Sequence, residues 1–227
     1  KIIAFDTTMD TCSVAVRVDA NIIAHRHERS SSGHAERLVP MIQEVLMEAD
    51  MDYGEIDLIA VTVGPGTFTG IRVGLSAARG IALTTGVSVI GVSTLDVIAE
   101  GARVRRAIDR ESSVVVIHNA RRDEMFCQIV PPRMAVSPSL PTVVALADAV
   151  SLFPTGPVTV VGSGVHLIKD QIIRERPDVT ISDAPDFPDA SNLTQIGGTL
   201  AKLGQLEKWP PEPLYIRTPD ARLQAGL

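Results

Sequence analysis

The apolar pattern of the first hundred residues predicts an α/β domain that opens with a β-meander. Three short apolar segments, separated by polar turns, predict antiparallel strands at Ile2–Phe5, Ser13–Val18 and Ile22–His25. Periodic and continuous apolar runs then alternate, which is typical of helices and buried strands. The predicted elements are a helix at His34–Ala49, a strand at Ile56–Val63, a helix at Ile71–Thr85, a strand at Val87–Val92 and a helix at Thr94–Ala102.

The second half of the chain repeats this order in a shorter form and therefore indicates a duplicated domain. Its predicted strands are Val114–His118, Met125–Val130 and Val158–Val161, and its predicted helices are Val144–Val150, Val165–Arg174 and Asn192–Leu203. We expect an N-terminal lobe over residues 1–103 and a smaller lobe over residues 104–206. The proline-bearing segment 207–227 is expected to be an extended tail.

Two helices carry more apolar surface than a single sheet needs. At 100° per residue, the apolar residues of His34–Ala49 fill an arc of about 160°, whereas covering a sheet takes only about 100°. In the next helix, small residues recur every fourth position, which allows another helix to approach closely. We expect a partner interface there, although packing within the chain is the alternative. The expected interface residues are Leu38, Met41, Ile42, Val45, Gly70, Gly74, Ala78 and Ala82.

Composition limits the classes of function. The 227 residues carry a net charge of −6, so the chain lacks the overall basic surface of a protein that binds nucleic acid unaided. The arginines at 103, 105, 106 and 110 and the pair at 121 and 122 form local basic patches. They are interpreted as solvated helix and turn ends, or as one wall of a nucleic-acid-facing surface that a partner completes.

The cellular location is predicted to be the cytoplasm. Cys12 and Cys127 are far apart, form no disulfide framework and are expected to be reduced thiols. Lys1–Phe5 enters a strand directly and is too short for a signal peptide, and no apolar run reaches the roughly 18 residues of a membrane span.

Two polar motifs suggest nucleotide chemistry only weakly. The turn Gly64–Gly70 lacks the Gly-Lys-Ser/Thr ending of a phosphate-binding loop, so a tight strand-to-helix turn is the favoured interpretation. Asp6, Thr7 and Thr8 stand at the end of the first strand, where such groups can hold a metal and a phosphate. The same three residues also form an ordinary polar turn.

No metal site or catalytic nucleophile is predicted. His25, His27 and His34 lie close in sequence, but Leu38 occupies the position where a helical histidine pair needs its second ligand. His25 and His27 share a strand face without an obvious carboxylate or thiolate to complete a set, so surface histidines are the favoured interpretation. The chain also lacks a Gly-x-Ser-x-Gly elbow.

An ordered set of motifs resembles the TsaB family. These motifs are Ala4-Phe5-Asp6-Thr7-Thr8, Cys12-Ser13-Val14-Ala15-Val16, His34-Ala35-Glu36-Arg37-Leu38-Val39-Pro40-Met41-Ile42, Gly64-Pro65-Gly66-Thr67-Phe68-Thr69-Gly70-Ile71-Arg72-Val73-Gly74, Gly91-Val92-Ser93-Thr94-Leu95 and Pro213-Leu214-Tyr215-Ile216-Arg217. The match is dense up to about Leu95 and thin beyond it. The family often has Asp where this chain has Asn119.

The resemblance implies two actin-like, ribonuclease-H-like lobes, each a mixed sheet with a β-meander and flanking helices. It also implies that the chain is a non-catalytic scaffold subunit of a complex that makes threonylcarbamoyladenosine in tRNA. In that complex it binds a TsaD-like catalytic partner, and a TsaE-like ATPase joins the two. The TsaD-like relatives carry a His-x-x-x-His metal pair on the first helix, which His34 and Leu38 do not reproduce. We therefore expect no cofactor and contact with tRNA only within the complex. From the apolar surface of the two helices, His34–Ala49 and Ile71–Thr85, we also expect a homodimer when the chain is alone. An ATP-using enzyme of the actin-like group is the alternative, and a metallopeptidase fails for want of ligands.

Overall fold

The computed structural model describes residues 1–104, 111–132, 139–205 and 211–216, and it contains two five-stranded mixed sheets. The first sheet has the order β3-β2-β1-β4-β5, with β1 Ile2–Asp6, β2 Thr11–Val18, β3 Asn21–Arg29, β4 Leu58–Gly64 and β5 Ser88–Ser93. The second has the order β10-β9-β6-β7-β8, with β6 Ser113–Asn119, β7 Glu124–Val130, β8 Thr142–Ala145, β9 Val158–Val161 and β10 Thr180–Ile181.

The two sheets share one topology. In each, the first three strands form an antiparallel meander, the fourth strand pairs in parallel with the first, and the fifth pairs in parallel with the fourth. The predicted duplication is therefore confirmed, and the fold is the expected pair of actin-like lobes. Cys12 and Cys127 are buried in different sheets and are unpaired, as predicted.

Five α-helices in the described part of the chain cover these sheets. They are α1 His34–Glu48, α2 Phe68–Thr85, α3 Thr94–Val104, α4 Val165–Glu175 and α5 Ala190–Lys202. Helices α1 and α2 pack on one face of the first sheet, and α5 packs on its opposite face. Helix α3 packs on the second sheet through Leu95 and Ile98, while α4 covers the other face of that sheet. No helix in the described part of the chain is long and apolar enough to cross a bilayer.

Helix α5 returns from the second half of the chain to the first sheet. Leu193 and Ala190 pack with Ala4 and Ala60, and a Cβ added at Gly197 would lie 2.8 Å from the Cβ of Ala60. This close approach lets the helix lie directly on the sheet. The division of the chain at residues 103 and 206 remains a prediction.

Some predicted elements differ in type or extent. The helix predicted at Val144–Val150 is instead the end of strand β8 followed by a 3₁₀-helix at Leu146–Leu152. The β-branched pair Val143 and Val144 completes the edge of the second sheet, where it pairs with β7. The arginines at 105, 106 and 110, and most of the segment 207–227, lie outside the described residues.

The eight predicted interface residues do not form an exposed surface. Seven are buried, and Ala82 packs at the margin of the same core. Because α2 crosses its own lobe, its small-residue stripe faces the β1–β2 turn: a Cβ at Gly74 would lie 3.0 Å from the Thr7 hydroxyl oxygen. The excess apolar arc of the first helix is thus packed inside the lobe, and contact between these particular side chains and a partner remains a prediction.

Two glycines of α2 allow this placement to be tested. A Cβ at Gly70 would overlap the carbonyl oxygen of Thr7, whereas Gly80 is exposed with nothing within 4 Å of its would-be Cβ. Gly70→Ala should lower the free energy of unfolding by about 1–3 kcal/mol, because backbone must shift. The matched change Gly80→Ala should raise it by about 0.5–1 kcal/mol through helix propensity. Urea titration measures both, and a neutral Gly70→Ala would contradict the placement.

A buried polar network joins the lobes at α3. The Gln128 side-chain amide of β7 donates to Asp96 Oδ1 at 2.8 Å, and the Ser93 hydroxyl donates to the Gln128 side-chain carbonyl at 3.1 Å. Burial raises the pKa of Asp96 to about 6, although the hydrogen bond from Gln128 opposes that rise. Folding therefore favours the neutral form of Asp96 more than the unfolded chain does.

This pKa predicts a pH-dependent stability. Because folding raises the pKa of Asp96, protonated Asp96 contributes to the stability of the fold at low pH. This contribution to the free energy of unfolding is lost as pH rises from 3.8 to about 6. Above this window, Asp96→Asn should unfold with a free energy larger by about 1–3 kcal/mol, because asparagine accepts the same hydrogen bond without a charge. Thermal melts between pH 4 and 8 test this, with exposed Asp148→Asn as the control. A pH-independent difference would contradict it.

Candidate functional site

A cleft of about 670 Å³ lies between the lobes, where four chain segments meet. The β1–β2 turn contributes Thr8 to Asp10, and the β4–α2 turn contributes Pro65 to Phe68. The β6–β7 turn contributes His118 to Arg121, and residues 214–216 close one side. Turns at the ends of parallel strands are where α/β folds place ligand sites.

Asp6 is held inside the lobe and does not line this cleft. It is fully buried, and its Oδ1 accepts hydrogen bonds from the hydroxyls of Thr8 and Thr62, both at 2.6 Å. The Thr7 hydroxyl donates to the Gly70 carbonyl oxygen at 2.7 Å. Burial raises the pKa of Asp6, and its other oxygen has no hydrogen-bond partner. Of the three residues predicted as a weak nucleotide site, only Thr8 reaches the cleft.

The β6–β7 turn has an unusual backbone. Arg121, Arg122 and Asp123 all have left-handed φ angles, of 64°, 56° and 58°. Asn119 supports the turn, because its side-chain oxygen accepts from the Arg121 backbone N–H at 2.8 Å. Three consecutive non-glycine residues in this region are strained, and such strain concentrates at functional sites. The turn brings Arg121 to the cleft, and both Arg121 and the following Arg122 are exposed.

His118 forms a contact that sequence spacing did not indicate. Its Nδ1 lies 2.8 Å from the hydroxyl oxygen of Ser163, which is 45 positions away. Burial lowers the pKa of His118 to about 4, although the Asp10 charge and the main chain at Asp186 oppose this. The ring is therefore neutral near pH 7. The other hydrogen bond of His118 is with the main chain of Asp186 rather than with a carboxylate, so the described residues form no Ser-His-Asp triad.

The C-terminal segment 211–216 is anchored against α2. The Phe68 and Tyr215 rings stack with centroids 5.4 Å apart, and Arg72 donates to the Tyr215 hydroxyl at 3.0 Å. The Arg72 guanidinium carbon also lies 3.5 Å from the centroid of Phe68. This arrangement engages Arg72 in a cation–π contact and leaves Phe68 54% exposed.

A second concave surface lies beside Phe68, across α1 and α2. We call it the α1–α2 groove, and its main residues are Val39, Phe68, Arg72, Val73 and Ala77. Val39 is 48% exposed and lies one residue from the buried Leu38. The groove measures about 530 Å³ and is mostly apolar. It is the exposed apolar face of the two helices that were predicted to carry an interface.

Comparison with known proteins places the chain among tRNA-modification proteins. Residues 18–131, half of the chain, match the family model described as TsaD: tRNA N6-adenosine threonylcarbamoyltransferase. The tRNA threonylcarbamoyladenosine biosynthesis protein TsaB of Escherichia coli (strain K12) is 38% identical over 131 residues, which cover 55% of this chain and 56% of that protein. The chain thus matches about half the length of its curated TsaB relatives.

A catalytic relative and a solved structure complete the comparison. The tRNA N6-adenosine threonylcarbamoyltransferase of Erythrobacter litoralis (strain HTCC2594) is 45% identical over 69 residues, covering 30% of this chain and 20% of that protein. A Pseudomonas aeruginosa crystal structure, titled as an uncharacterized protein with similarity to peptidase YEAZ, superposes with a TM-score of 0.80 at 25% identity. It covers 95% of this chain and 99% of its own.

Proposed function

The chain belongs to the family described as TsaD, tRNA N6-adenosine threonylcarbamoyltransferase, and from this premise we propose that it is a TsaB-type subunit of threonylcarbamoyladenosine biosynthesis. In this role it binds and supports a TsaD-type catalytic subunit and does not itself transfer the threonylcarbamoyl group. The observation that carries the proposal is the exposed α1–α2 groove, which offers an apolar docking surface. A TsaE-like ATPase completes the proposed complex in the cytoplasm.

The first helix supports a non-catalytic role. The resemblance implies that catalytic relatives bind a metal through two histidines one turn apart on this helix. Here His34 Nε2 lies 3.1 Å from the Thr11 carbonyl oxygen, and Leu38 is fully buried in the core. Leu38 offers no ligand atom. This supports our proposal that the partner supplies the transfer reaction.

The interlobe cleft gives little support to the alternative of an ATP-using enzyme. Such chemistry needs carboxylate oxygens and a cation at the phosphates. Asp6 is buried under two threonine hydroxyls, the Gly64–Gly70 turn contains no lysine, and Asp10 is the one carboxylate among the described residues that line the cleft. We expect the cleft to accommodate no nucleotide as a substrate. Binding of tRNA is assigned to the complex, in which the Arg121–Arg122 pair adds to a basic surface of the partner.

We also propose that the groove supports a weak homodimer of the chain alone. Val39 and Phe68 are each about half exposed, so burying the rest of both side chains contributes roughly half of the 1.5–3 kcal/mol that full burial gives each one. The sum over two copies reaches only the lower end of the association cost of roughly 4–15 kcal/mol, so the dimer should be weak. A TsaD-type lobe of the same fold presents a similar pair of helices and competes for the same groove.

The docking surface is tested by Val39→Arg. A charged chain in the groove should weaken binding to the TsaD-type partner by about tenfold or more, because an apolar contact is replaced by an unpaired charge. Met47→Arg is the matched control, since Met47 is 79% exposed on the same helix and lies outside the groove. Calorimetric titration measures both, with circular dichroism to confirm folding. Equal affinities for the two variants would place the interface elsewhere.

The division of labour is tested by a transfer assay. The purified chain, incubated with tRNA and the threonylcarbamoyl-adenylate intermediate, should give no modified tRNA, because it lacks the metal pair of the catalytic relatives. Addition of the TsaD-type protein should produce modified nucleoside, measured by mass spectrometry. Product formed by the chain alone, with contaminating partner excluded, would overturn the subunit assignment.

A further inference from the structure

Three side chains from distant parts of the chain converge at the edge of the first sheet. His25 and His27 lie on the edge strand β3, and Asp189 directly precedes α5. His25 Nε2 lies 2.9 Å from Asp189 Oδ1, and His27 Nδ1 lies 3.4 Å from Asp189 Oδ2. One ligand atom from each residue falls within 4.8 Å of the others. The expectation that no carboxylate completes this histidine pair is therefore wrong, because the return of α5 to the first sheet supplies one.

The local fold directs all three side chains to the same place. Residues two apart on a strand share one face, so both imidazoles project toward the side of the sheet that α5 covers. The start of α5 is fixed beside them, because the Ala190 backbone N–H donates to the Ser13 hydroxyl at 3.0 Å. The three side chains keep 26–33% of their surface exposed, which leaves a path for an ion from solvent.

The donor set suits a borderline transition-metal ion. Zn²⁺ takes imidazole nitrogen and carboxylate oxygen at about 2.0–2.2 Å, which places tetrahedral ligand atoms about 3.3 Å apart. The two imidazole–carboxylate separations, 2.9 Å to Oδ1 and 3.4 Å to Oδ2 of Asp189, are close to this spacing, so each histidine faces its own carboxylate oxygen. The Ser191 backbone N–H and hydroxyl both donate to Asp189 Oδ1, at 2.8 and 2.6 Å, and hold the carboxylate in place as an outer-shell partner would.

One further feature of the site agrees with a ligand role. His25 Nε2 is buried and lies 2.9 Å from Asp189 Oδ1, but this contact does not have the geometry of a hydrogen bond.

We propose that His25, His27 and Asp189 form a binding site for a Zn²⁺-class dication, which clamps edge strand β3 to the start of helix α5. The ion takes three protein ligands and keeps a further position for water. Because α5 follows the second lobe in sequence, the clamp fastens the last helix of the chain to the first sheet. The proposal is independent of the tRNA-modification role, since it concerns the isolated chain.

Metal titration of the full chain tests the site. After treatment with a chelator and dialysis, Zn²⁺ followed by calorimetry should bind at one ion per chain and raise the melting temperature. Co²⁺ should give visible d–d absorption of a site with nitrogen and oxygen ligands. His25→Ala and His27→Ala should each weaken binding at least tenfold and abolish the thermal shift.

Two further variants separate ligand loss from structural damage. Asp189→Asn keeps an equally good helix N-cap but loses the charged ligand, so it should weaken Zn²⁺ binding without loss of helix α5. His166→Ala removes an exposed histidine on α4 and should leave binding unchanged. Failure of Zn²⁺ and Co²⁺ to bind, or equal affinity in the Asp189→Asn and His166→Ala variants, would show that the three residues form only a polar cluster.

Discussion

A buried carboxyl group at the end of β1 organises the first lobe. Asp6 accepts hydrogen bonds from Thr8 in the following turn and from Thr62 in β4. Thr8 in turn accepts from the Thr94 hydroxyl of α3. Burying an acid is costly, and the hydrogen bonds to Oδ1 offset part of that cost, so the turn, β4 and α3 have to keep their relative positions. Both the cleft and the helices around it are built on this arrangement.

The same constraint determines which surfaces remain for binding. Thr7 bonds to the carbonyl of Gly70, and this contact draws α2 onto the turn so closely that only glycine fits there. The inner faces of α1 and α2 are thereby used within the lobe. Their outer faces form the α1–α2 groove, where Val39 and Phe68 remain exposed. The proposed scaffold role therefore depends on the outer faces of α1 and α2, which the core does not bury.

Two helices join the lobes, because each of them packs on the sheet formed by the other half of the chain. Helix α3 ends the first half of the chain but packs on the second sheet, and α5 follows the second sheet but packs on the first. The Asp96–Gln128 contact fastens α3, and the proposed metal clamp fastens the start of α5. Opening of the interlobe cleft would therefore strain contacts at both helices.

Local sequence patterns determined most of the elements and the duplication. Apolar periodicity predicted α1 within one residue and predicted β9 with the observed bounds, since a helix or strand that covers a core has to repeat its apolar positions. The lack of a second histidine at Leu38 was also visible in the sequence. Only the tertiary structure decided which neighbour covers each apolar face, because a periodic pattern shows how much surface is buried but not against what. The tertiary structure alone brought His118 next to Ser163, and brought His25 and His27 next to Asp189. These side chains are distant along the chain and meet only when the sheets and helices pack.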